Sequence, residues 1–156
     1  MLLPVNKLIW DPTWTRWCRI PYFGHPRGCP NFMTGHTGCP GEVRPLEEII
    51  DIERKMFIVY AEFDLASHVA KMRREHPGWT DRQCRNVYYW QAGARKRLRE
   101  EIRVGTFGLT PALVVLERPE AYGVNVYATC AASGLRLERI KNLRICRHVA
   151  LIGERP

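Results

Sequence analysis

Cys18, Cys29 and Cys39 fall in one segment with ten and nine residues between them. The latter two stand in the same local frame, Gly28-Cys29-Pro30 and Gly38-Cys39-Pro40. Thiolates are soft metal ligands, and glycine beside a ligating cysteine lets backbone N–H groups approach sulfur. Cys-Pro recurs in iron–sulfur ligation. The spacing is wider than the Cys-x-x-Cys pairs of zinc ribbons; it suits a loop wrapped around a larger object. The leading expectation is one 4Fe–4S cluster held by Cys18, Cys29 and Cys39. The residues leave three alternatives open: structural zinc completed by His25 or His36, free cysteines or a disulfide, and a catalytic thiol without metal.

A cubane cluster needs four ligands and the loop offers three. Cys84 is the candidate for the fourth, against the plain reading of a small buried hydrophobe. Cys130 and Cys146 lie in segments that read as core. With no fourth protein ligand, one iron is open to act as a Lewis acid, and redox or sulfur-related chemistry at the cluster follows by chemical analogy alone. The enzyme version expects a pocket lined by Gln91, His25 or Glu62. A module with full ligation expects no pocket and a redox partner.

The elements that must position these groups divide the chain in two. Residues 18–45 carry Pro21, Pro26, Pro30, Pro40 and Pro45 with five glycines and no apolar periodicity, so neither an amphipathic helix nor a strand is expected there. Ahead of them, Trp10, Trp14 and Trp17 mark an irregular arm. Beyond them, 56–63 reads as a buried strand. Asp64 caps a helix over 65–74, and Pro77-Gly78 stops it. Thr80 and Gln83 form a capping box for one long helix over 81–103. Its apolar face carries Cys84, Val87, Gln91, Ala94, Leu98 and Ile102, and Arg82, Arg85, Lys96, Arg99 and Arg103 lie opposite. A strand over 112–116, a helical run from Pro119 to Gly134, an alternating short strand over 135–138 and a last apolar strand over 148–152 follow. Asn125 reads as a helix cap. Strands alternating with helices give an α/β class: a small mixed or parallel sheet flanked by helices. The whole is a single domain, 1–156, with a metal-binding arm and loop over 1–45 and an α/β layer over 46–156.

The formal net charge of +8 and a pI near 9.5 favour an anionic partner, either a small molecule or nucleic acid. The competing zinc reading makes the chain a structural or nucleic-acid-binding protein. No apolar run is long enough to cross a membrane, and Met1 to Val5 is broken by proline before any leader pattern forms. A cytoplasmic protein is expected, in which cysteines serve as ligands, reactive groups or buried thiols rather than disulfides.

The cysteine loop and the segment Arg118-Pro119-Glu120-Ala121-Tyr122-Gly123-Val124-Asn125-Val126 together resemble a family of uncharacterised, cysteine-rich metal-binding (iron–sulfur) proteins of bacteria and archaea. The likeness covers under a third of the chain. It implies an iron–sulfur or other metal site at Cys18, Cys29 and Cys39, and it implies no reaction. Many members carry a second cysteine cluster between the long helix and this segment. Here 104–117 holds no cysteine, so one cluster is expected.

Overall fold

The computed structural model describes residues 1–32, 34, 43–108, 112–139 and 143–156. The chain opens on a short strand, β1 (Leu2–Pro4), followed by a two-turn 3-10 helix, Trp14–Arg19. A further 3-10 turn, Leu46–Glu48, precedes the strand β2 (Phe57–Asp64). Ile58 and Val59 are consecutive and both essentially buried; successive strand residues face opposite ways, so both faces of β2 are covered. At its end the Asp64 carboxylate accepts from Ser67 N at 2.8 Å. That cap starts α1 (Leu65–Glu75).

Thr80 and Gln83 close the expected capping box around α2 (Asp81–Cys84), but the helix stops there. The single helix expected over 81–103 is two. Asn86 turns its side chain onto Tyr88 N, and the Val87-Tyr88-Tyr89-Trp90 run is β-branched and aromatic, poor material for a helix interior. The chain resumes as α3 (Gln91–Thr106), and Val87 is left exposed. Strand β3 (Leu113–Leu116) comes next. The helical run after Pro119 is also divided, because Gly123 takes a left-handed φ of 85°. Asn125 then caps α4 (Val126–Ala132) by accepting from Ala128 N. The stretch over 135–138 does not join the sheet. Leu135 N bonds back to Cys130 O across Gly134, as a helix C-terminal motif requires. The last strand is β4 (Ile145–Glu154).

The sheet runs β1-β2-β4-β3, and every pairing is antiparallel. This corrects the expectation of a parallel or mixed sheet. Both β2 and β3 oppose β4, so they run in the same direction and the helices between them form a crossover. The parallel reading assumed that strands joined by helices are neighbours; here β4 is inserted between them, as in a split β-α-β unit.

One face of the sheet (Val59, Ala61, Ala150 and Ile152) packs under Leu98 of α3. The other carries Ile58 and Leu151, a cross-strand pair, covered by Leu46, Ile50, Val124, Cys130 and Leu135. The N-terminal arm docks beside this second face. Asp11 N bonds Gly123 O at 2.9 Å and Asn125 N bonds Ile9 O at 2.7 Å. A Cβ on Gly123 would collide with the Asp11 carbonyl and with Trp14. Among the described residues no helix is long and apolar enough to cross a membrane.

Candidate functional site

Strand β3 is short and β4 is long. Only Leu151 to Glu154 of β4 are paired with β3, whereas β2 pairs with β4 from Ile145 to Ile152. Among the described residues, the strand from 145 to 150 therefore has a paired strand on one side only. The space beside it is a cleft of roughly 690 Å3.

The two walls of the cleft differ. Helix α3 presents Gln91, Arg95, Leu98 and Arg99, the first, second and fourth at intervals of four and so on one face. The opposite wall is mainly apolar: Val124, Val126, Tyr127 and Leu137, with the Asn125 cap. Cys146, Arg147, His148 and Val149 of β4 form the floor. Glu117, Arg118 and Glu120, where the chain leaves β3, and Trp17 of the arm complete the lining.

Four arginines and three glutamates line this space, but they are not equally committed. Arg147 meets Glu62 at 2.6 Å and donates to Arg136 O at 2.8 Å. Glu138 accepts from the Arg144 and Ile145 amides, which hold its carboxyl below the usual range. Arg95 and Arg99 make no ion pair among the described residues. Burial, reinforced by the Arg95 guanidinium, holds His148 below the ordinary histidine value. Burial pushes the Cys146 thiol up, so it rests as a thiol and not as a thiolate.

The cysteine loop is ordered by its backbone. Cys29 N donates to Cys18 O at 2.7 Å, and Tyr22 and His25 exchange both of their backbone bonds. Gly28, with φ at 84°, lies so close to the Cys18 carbonyl that any Cβ would overlap it. The structure thus brings Cys18 and Cys29 together at the neck of a hairpin, each half-buried. Cys39 and His36 lie outside the described residues. Cys84 is fully buried among Leu65, Val69, Met72, Trp90 and Ala94, and no described residue of 1–45 belongs to that cluster. Cys130 is buried too, its thiol pushed up to about 11. Among the described residues, no group of three or more His, Cys, Asp and Glu side chains is gathered to hold a metal ion.

Of the pocket residues expected from sequence, Gln91 lines the cleft, Glu62 reaches it only through Arg147, and His25 stacks on Tyr22 in the hairpin. In the basic stripe, Arg99 lines the cleft, while Arg85 and Arg103 are tied to Asp81 and Glu100. The sequence reading missed Arg95, Arg118, Arg147 and His148. The Gln91, Arg95 and Arg99 interval carried a signal for the first of these; nothing local marks the others. Comparison with protein-family models, with curated proteins and with solved structures finds no match.

Proposed function

We propose that this chain binds an anionic ligand in the cleft beside β4. The observation that carries the reading is the α3 wall, where Arg95 and Arg99 face a half-enclosed space without carboxylate partners among the described residues. Guanidinium groups offer forked donors that match phosphate and carboxylate oxygens. Gln91 adds an amide, and His148 can charge once an anion sits beside it. Calorimetric titration with inorganic pyrophosphate tests this. Binding that weakens about tenfold in Arg95→Gln and in Arg99→Gln supports it; no binding, or binding indifferent to both substitutions, overturns it.

A second reading concerns the hairpin. The closed neck that sets Cys18 beside Cys29 favours a metal or 4Fe–4S site there, completed by Cys39. The donor set fits in part: Cys18 and Cys29 are joined by a backbone bond at one neck, and the third cysteine lies beyond the described residues. A bound cluster would supply electron transfer or an open iron at a cysteine one residue from Trp17, which lines the cleft. The zinc alternative uses the same cysteines. Protein purified without oxygen should carry about four irons and four sulfides per chain, lost in Cys18→Ser and in Cys29→Ser. About one zinc per chain selects the alternative, and a metal-free protein removes both.

A further inference from the structure

The floor of the cleft is an unfinished sheet edge. Met1 and Tyr60 exchange both backbone bonds, Tyr60 N to Met1 O at 3.0 Å and Met1 N to Tyr60 O at 3.2 Å. Tyr60 therefore turns its N–H and C=O toward β1 and away from β4. Its partner across the ladder is Val149. In an antiparallel pair the backbone groups of directly opposed residues either all face each other or all face away. The N–H and C=O of Val149 accordingly point away from β2 and into the cleft. Strand alternation gives Arg147 the same orientation, and Leu151 spends its outward groups on Leu116 of β3. No described residue gives the Arg147 or Val149 amide a hydrogen bond.

We infer that the cleft accepts an extended peptide, which adds to β4 as a strand in line with β3. This rests on the anion-binding reading and names the ligand class. An edge of unpaired backbone is a template for strand addition, in which main-chain bonds give affinity and alternate side chains give specificity. The walls set that alternation. Side chains pointing to α3 meet Arg95 and Arg99, and side chains pointing to α4 meet Val126 and Leu137. The preferred partner alternates acidic and apolar residues. Arginine forks alone would suit a nucleotide equally; the paired backbone edge and the apolar opposite wall are what favour a peptide.

The test uses the full chain and the capped hexapeptide Glu-Val-Glu-Val-Glu-Val. A second copy of the peptide carries N-methyl groups on alternate amides, on the edge that would face β4. Its charges are unchanged, but it cannot pair there. The inference expects binding of the first peptide, at least tenfold weaker binding of the second, and slowed hydrogen exchange at the Val149 and Arg147 amides. Equal binding of both peptides, or pyrophosphate binding without peptide binding, overturns strand addition and leaves the anion reading standing. Tighter binding of a single-stranded oligonucleotide than of the peptide overturns it in favour of nucleic acid. If neither pyrophosphate nor peptide binds, both readings fall.

Discussion

Ile58 and Phe23 are both large apolar side chains, and the molecule uses them in opposite ways. Ile58 is 1% exposed at the centre of β2, beside its cross-strand partner Leu151 and packed with Cys130 and Leu135. Phe23 is fully exposed at the tip of the cysteine hairpin, with Ile20 and Tyr22 more than half exposed beside it. The sheet is held by side-chain burial, which scales with the apolar area removed from water. The hairpin is held by backbone hydrogen bonds and by one glycine that nothing else can replace. A region fixed through its backbone can leave large side chains such as Phe23 exposed, and the sequence between Asp11 and Glu42 holds aromatic rings and arginines without one acidic residue.

The contrast breaks most visibly in stability. Ile58→Ala should cost about 3 to 4 kcal/mol, as core truncations with incomplete relaxation do. Phe23→Ala should stay within about 0.5 kcal/mol of the parent. Urea denaturation of the two variants decides it; a large loss at Phe23 would mean that the hairpin tip packs on something in solution. Gly123→Ala lies between, at about 2 kcal/mol, because a left-handed residue gains a side chain that strikes Asp11 and Trp14. Its damage should be confined to the arm: hydrogen exchange should speed at Asp11 and Asn125 and stay slow in β2. Uniform acceleration would show the arm and the sheet to be one cooperative unit.

Asn125→Ala removes a helix cap and should cost about 1 kcal/mol, read as a shift in the urea midpoint without a change in slope. The smallest effect is a pH dependence. Burial lowers the folded-state pKa of His148 and, separately, of His68 below the ordinary value of 6.5. The unfolded chain therefore takes up protons first as pH falls below that value. Stability is complete above pH 6.5 and declines as pH drops toward the folded pKa values. His148→Gln should flatten part of that decline, and a variant as pH-sensitive as the parent would remove His148 from the account. Arg95, Gln91 and Arg147 share the cleft with this ring, and Trp90 touches its edge. A bound anion should raise its pKa, so anion affinity should increase as pH falls from 7 to 6.

Local rules made much of the fold legible. The caps at Asp64, Thr80 and Asn125, the stop at Pro77-Gly78 and the apolar runs of β2, β3 and β4 all follow from short-range chemistry, and the structure contains them. Strand neighbours were not legible, because the insertion of β4 between β2 and β3 is a long-range choice that no periodicity records. The break at Asn86 was hidden for a related reason: the apolar stripe from Cys84 to Ile102 keeps helical spacing across it. The cleft was legible only as Gln91 and Arg99. Its existence depends on β3 ending at Leu116 while β4 runs on, a difference in strand length expressed only once the two are paired. The cysteine loop was the strongest signal in the sequence, and the structure places two of its three cysteines at one neck.

The central claim is that Arg95 and Arg99 are held ready for an anion, unlike the surface arginines that already have carboxylate partners. The most direct measurement follows the arginine side-chain Nε–Hε resonances by nuclear magnetic resonance while pyrophosphate is added. The account predicts shifts at Arg95 and Arg99, with the His148 ring moving in step, and no comparable shift at Arg54, Arg73 or Arg103, which pair with Glu154, Asp81 and Glu100. Shifts spread evenly over all arginines, or centred on the paired ones, would contradict it.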